Sequence, residues 1–224
     1  MVQERYRKDY LGEFIIANTK LKNGKKQQQR EWIPNLIKNQ HISARAAAFF
    51  GKVESKFFDE GKVERHKGGH LGKFKLQTYG IGDTWKNINL NFSFINDIGL
   101  LDEIIKAGIQ EKTAVYTNSV NCIKRPGEFF LLPYNLKMPS PAGILYLAAF
   151  DEHKEIFICG AEQYGVDALA SNKILKSVSR VIGCYKNTKF YFVVNKQRHI
   201  PNEWKKFPNV QLMNHSKFVS YCDL

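Results

Sequence analysis

Long apolar runs are missing from this sequence: none approaches the roughly 18 residues that a bilayer span requires. The opening stretch, Met1 to Tyr10, is charged and has no apolar signal core. The expectation is therefore a cytoplasmic chain with no membrane partner. Cysteine is scarce. Cys122, Cys159, Cys184 and Cys222 are the only four, and no two stand in CxxC spacing. That excludes a dense disulfide framework and leaves four free thiols in a reducing compartment as the expected state. The sequence contains no GxxxxGK[ST], GxSxG or HExxH pattern. A P-loop phosphate cradle, a serine nucleophile elbow and a zinc-protease helix are thereby excluded, and no metal site is expected. Internal repeats and low-complexity tracts are also lacking.

Basic charge is present in excess. Across 224 residues, 34 Lys and Arg face 21 Asp and Glu, a formal +13. The excess is uneven: residues 1–75 hold 17 basic and 8 acidic side chains, net +9, and residues 76–224 hold 17 and 13, net +4. A positive field concentrated on one part of a molecule attracts polyanions and speeds their encounter. Nucleic acid is the leading candidate partner. Lys25, Lys26 and Arg30 in the arm, and Arg65, Lys67 and Lys73 further on, are the expected contacts.

Hydrophobic periodicity divides the chain at about residue 42. The first part reads as a basic arm, with strands over Glu13–Ala17 and 27–33 joined through an Asn23-Gly24 turn, a pair that accepts positive φ at both positions. Residues 43–224 alternate strand and helix. Strands are expected over 44–50, 74–79, 91–95, 113–117, 129–134, 155–159, 189–194 and 209–213. Helices are expected over 99–107, 141–151 (Ser140 as N-cap, Pro141 at the first helical position) and 167–181. Alternation of this kind argues for an α/β fold: a Rossmann-like, mainly parallel sheet with helices on both faces, preceded by the β-hairpin arm.

In such sheets ligands sit beyond the carboxyl ends of the strands, at the switch in strand order. The loops starting at Gly51, Gly80, Asn96, Tyr134 and Gly160 are the ones to inspect. Asp97 follows one strand and Glu162 and Tyr164 follow another, so carboxylates and a phenol reach the expected ligand edge. His215 follows the last strand and is the general-base candidate; His153 precedes a strand, on the opposite edge, and reads as structural. The loop His66–Lys73 combines glycine, histidine and lysine in a composition that suits either phosphate contact or a solvated surface. Lys56-Phe57-Phe58 and Trp204-Lys205-Lys206-Phe207 mix cations with aromatics. Such mixtures serve base stacking in some proteins and core packing beside snorkelling lysines in others.

Ala142–Ala149, followed by Lys154–Tyr164 with its strand and Gly160-Ala161-Glu162, resembles the bacterial sialyltransferases and related glycosyltransferase-like Rossmann proteins, many of them phage-encoded. Arg45–Ser55 resembles that family's first strand and nucleotide loop, Gln77–Gly80 its second strand, and Asn96-Asp97 its mid-sheet aspartate. The resemblance spans roughly residues 42–220. It implies a nucleotide sugar as donor, with Gly51, Ser55, Gly82, Ser140, Gly143 and Tyr164 around it and Asp97, Glu162 and His215 as catalytic groups. The family's Gly-Asn-Gly-Pro-Ser loop reads Gly51-Lys52-Val53-Glu54-Ser55 here, and valine blocks the backbone approach that glycine permits. Gly82 stands for an asparagine, Ala142 for a serine and Glu162 for an aspartate.

Two readings follow. One is a divergent glycosyltransferase acting on or near a polyanion such as DNA. The other is a catalytically eroded scaffold that binds nucleic acid or protein, for example as a phage structural or accessory protein.

Overall fold

The computed structural model describes residues 11–20, 23, 26–35, 45–51, 76–164, 172–194 and 200–222. They fall into two compact units, one of 1–37 with 95–137 and one of 38–94 with 138–224.

The larger unit contains six strands: β3 (Arg45–Phe49), β4 (Leu76–Ile81), β5 (Phe92–Phe94), β8 (Glu155–Cys159), β9 (Lys189–Val194) and β10 (Val210–Asn214). All five pairings are parallel, in the order β10-β9-β8-β3-β4-β5. The α/β class and parallel sheet expected from the sequence are therefore present. Parallel pairing buries both sheet faces, which is why Ala46–Phe50 and Ile156–Cys159 are continuous apolar runs rather than alternating ones.

One face is covered by α3 (Ser140–Phe150), α4 (Asn172–Cys184) and α5 (Asn202–Lys205). On the other, Ala47, Phe49, Phe157, Tyr191 and Met213 form a core with Phe218 and Cys222 of α6 (His215–Cys222). Ser140 is the first residue of α3 rather than its cap; Pro139 holds the cap position, and no side chain caps the end. A helix entered through two prolines has already fixed its first φ angles, so the missing cap bond matters less.

The smaller unit holds the hairpin β1 (Leu11–Lys20) and β2 (Lys26–Asn35), antiparallel in register from Leu11↔Asn35 to Lys20↔Lys26. Its pairing stops five residues short of a direct return, so the link is longer than the two-residue Asn-Gly turn expected. The unit also contains α1 (Ile98–Lys106), β6 (Ala114–Thr117), α2 (Ser119–Lys124) and β7 (Phe130–Leu131), with β6 and β7 parallel.

No helix among the described residues is long and apolar enough to cross a membrane.

Candidate functional site

From β3 the chain proceeds to β4 and β5 on one side, and later to β8, β9 and β10 on the other. The switch in direction lies between β3 and β8, whose carboxyl ends are Phe49-Phe50-Gly51 and Cys159-Gly160. This is where an open parallel sheet forms its ligand crevice.

The protein's own side chains occupy that position. Gly160 takes φ 77°, turning the chain into a 3-10 segment, Ala161–Tyr164, that folds back over the end of β3. The Gln163 carboxamide donates through Nε2 to the Phe50 carbonyl oxygen. The Tyr164 hydroxyl donates to the same oxygen at 3.2 Å, and burial raises its pKa. Phe50 N–H donates to the Cys159 carbonyl at 2.9 Å, tying the two strand ends together. Phe50, Tyr164 and Trp204 form a mutually edge-on aromatic trio with centroids 6.2 Å apart. Beside them, the space a Cβ on Gly51 would take is filled by the Gln163 amide. The glycine that could let a phosphate approach the backbone is thus covered from within the chain.

The other expected site residues are dispersed. Asp97 belongs to the smaller unit, where its Oδ1 accepts from Leu100 N–H at 2.9 Å and caps α1. Its carboxylate serves a helix end, which accounts for an acidic residue at that position without catalysis. Glu162 stands in the Ala161–Tyr164 turn, near enough to Cys159 to add to the burial that raises that thiol's pKa. His215 opens α6 beyond β10, with Phe218 in edge contact at 6.4 Å. It is two strands from Glu162, with β9 between them, roughly 10 Å at the usual strand spacing. Gly143 is buried inside α3, and the Phe94 ring fills the volume of its missing side chain. That glycine is used for close helix–sheet packing. Gly82, with φ 57°, forms the turn after β4 and has open space around its Cβ position. Ser140 is half-buried at the start of α3. Ser55, Lys25, Arg65, Lys67, Lys73 and the His66–Lys73 loop lie outside the described residues, as do the side chains of Lys26 and Arg30 on β2.

Two features of the larger unit had no clear signal in the sequence. The first is a sealed polar cluster at the amino edge. Tyr79 donates to Asp151 Oδ2 at 2.6 Å, and His153 Nε2 lies 2.9 Å from the Tyr79 hydroxyl and 3.1 Å from Gln77 Oε1. A proton on His153 Nε2, shared between Tyr79 and Gln77, fits these three contacts. His153 is fully buried there, in keeping with the structural role expected of it. The second is the Trp85 indole N–H in the turn after β4, which is buried without an acceptor among the described residues.

No family model, curated protein or solved structure matches this chain. What it does has to be read from the geometry and charge of its own residues. Among the described residues, no group of three His, Cys, Asp or Glu side chains is placed to hold a metal ion. All four cysteines are free thiols, and Cys184 alone is exposed.

Proposed function

We propose that this protein is a nucleic-acid-binding module built on a glycosyltransferase-like scaffold whose donor crevice is closed. The capping of β3 by Gln163 and Tyr164 carries the reading. A nucleotide at that edge would have to displace the carboxamide beside Gly51 and break two bonds to the Phe50 carbonyl. The net charge of +13 supplies the attraction to a polyanion. Lys25, Lys26, Arg30, Arg65, Lys67 and Lys73 are the proposed arm and loop contacts. Binding of a labelled 20–30 base-pair duplex, followed by anisotropy, is expected to weaken along a straight line in log salt, with a slope of about −0.9 per phosphate neutralised. Binding that ignores salt, or none at low salt, overturns the reading.

The Trp85 indole N–H at the carboxyl end of β4, unpartnered among the described residues, favours a second reading, in which a small polar ligand completes the site. Its class would be a nucleotide sugar, used as a glycosyl donor. Thermal shift separates the two: a donor at 100 times its dissociation constant adds about 2.7 kcal/mol of stability. The module reading expects no shift from nucleoside mono- or diphosphate sugars, in the wild type or in Gln163→Ala. A shift in either restores the enzyme reading.

A further inference from the structure

The charge follows a pattern along the chain that a two-way division conceals. Residues 76–171 hold 7 basic and 11 acidic side chains, net −4, whereas residues 172–224 hold 10 basic and 2 acidic, net +8. The last quarter of the sequence is therefore a second basic region, distinct from the arm.

Part of it converges on one surface of the larger unit. α4 contains no acidic residue and buries Val178, Val181 and Ile182. Lys173, Lys176 and Arg180 are all exposed. At 100° per residue these three fall within an arc of about 60°, centred on the side opposite the buried stripe. α5 and the residues after it run alongside. Trp204 Nε1 donates to the Leu175 carbonyl at 3.2 Å, and Phe207 packs 3.2 Å from the Cβ position of Gly183. Asn209 Nδ2 reaches the carbonyls of Ile182 and Tyr185 at 3.2 and 3.1 Å. Exposed Lys205 and Lys206 therefore flank α4 between Leu175 and Gly183, a length of about 12 Å. The result is two adjacent rows of cations, five in all, with Glu203 the one acidic side chain on α4 or α5.

We propose that this α4–α5 ridge is a second nucleic-acid site, which grips the phosphate backbone of a duplex without reading its sequence. The proposal rests on the nucleic-acid-binding reading and adds a site to it. The chemistry selects the ligand class. Lysines are point charges suited to phosphate, and side chains three and four apart on a helix are about 5–6 Å from one another at Cβ, close to the spacing of phosphates along a strand. Among the described residues of the ridge, no aromatic side chain stands fully exposed for stacking on unpaired bases: α4 has none, Trp204 is fully buried, stacked on Phe192 with centroids 5.5 Å apart, and Phe207 is half-buried against Gly183. Single strands are held by such platforms, so the ridge fits a duplex. An anionic membrane fits less well, because no large apolar side chain of α4 or α5 is exposed for insertion.

The test uses the full chain and a labelled random-sequence duplex. In Lys173→Ala/Lys176→Ala/Arg180→Ala, affinity at about 0.1 M salt is expected to fall tenfold or more and the log–log salt slope to flatten by about 2–3. Lys205→Ala/Lys206→Ala is expected to flatten it by about 1–2. Lys173→Arg/Lys176→Arg keeps the wild-type slope. Unchanged slopes in both alanine variants, while wild type binds, overturn the ridge and leave the parent reading standing. Absence of binding by wild type overturns both. Loss of binding to phosphatidylserine vesicles in the triple variant, with duplex binding intact, overturns the ridge in favour of a membrane surface. A shared circular dichroism spectrum and melting temperature show that the variants fold.

Discussion

Single side chains decide how tightly the larger unit closes. Gly143 lets α3 lie on the sheet where Phe94 would meet any Cβ. Gly143→Ala is expected to lower stability by about 1–3 kcal/mol through overpacking, and Phe94→Leu in the same chain should recover part of the loss. Urea unfolding of the single and double variants checks both statements. Tyr79 is fully buried with its hydroxyl 2.6 Å from Asp151. Tyr79→Phe removes that hydrogen bond to a buried carboxylate, so a loss of about 1.5–3 kcal/mol is expected; a change below about 0.5 kcal/mol would mean the cluster contributes little. Trp204 shows the limit of reading residues singly. Beside two lysines in sequence it is consistent with base stacking, yet its ring is core and only the lysines reach solvent. Burial depends on where α5 lands, which the local sequence does not encode.

At the scale of elements, the end of α4 depends on Asn209. Its Nδ2 is within 3.2 Å of the Ile182, Tyr185 and Thr188 carbonyls, replacing partners the helix end lacks. Asn209→Ala is expected to cost about 1–2 kcal/mol, and Asn209→Asp more, because a carboxylate cannot donate to those oxygens. Equal losses in the two variants, measured by chemical denaturation, would reject this account.

A second element-level effect is pH-dependent. Burial, with Glu155 nearby, pushes the Tyr191 hydroxyl up to about 12 from an ordinary 10.0. A raised acid favours the folded state while it stays protonated in both states. Its contribution is thus complete below pH 10.0 and is lost as pH climbs toward about 12. Tyr191→Phe is expected to flatten that alkaline decline in unfolding free energy.

The long, strongly patterned elements were legible in the sequence: β8, β9 and α3 fall where their apolar runs put them. The short helices α2, α5 and α6 were not, since a few residues of helix carry almost no periodic signal and owe their form to packing. The candidate site was legible only as a location. Glu162 and Tyr164 do stand beyond β8, but the turn of Gln163 back onto Phe50 depends on two strands more than 100 residues apart.

For the molecule as a whole, a charge of +13 implies self-repulsion in the folded state. Raising sodium chloride from about 0.05 to 0.3 M shortens the screening length and is expected to raise the melting temperature, by about 2–4 °C if the relief is about 1 kcal/mol. A fall over that range would contradict it.

Strand and helix segments in alternation were enough to specify a parallel α/β sheet, because burial on both faces forces a continuous apolar run on inner strands such as β3 and β8. Composition fixed the basic balance in the same direct way. Tertiary structure alone decided that Gln163 and Tyr164 bond to the Phe50 carbonyl at the switch between β3 and β8, and that α5 and the residues after it run alongside α4. Both depend on contacts between segments distant in the chain, whose free energy is set by the packed fold and has no counterpart in local sequence.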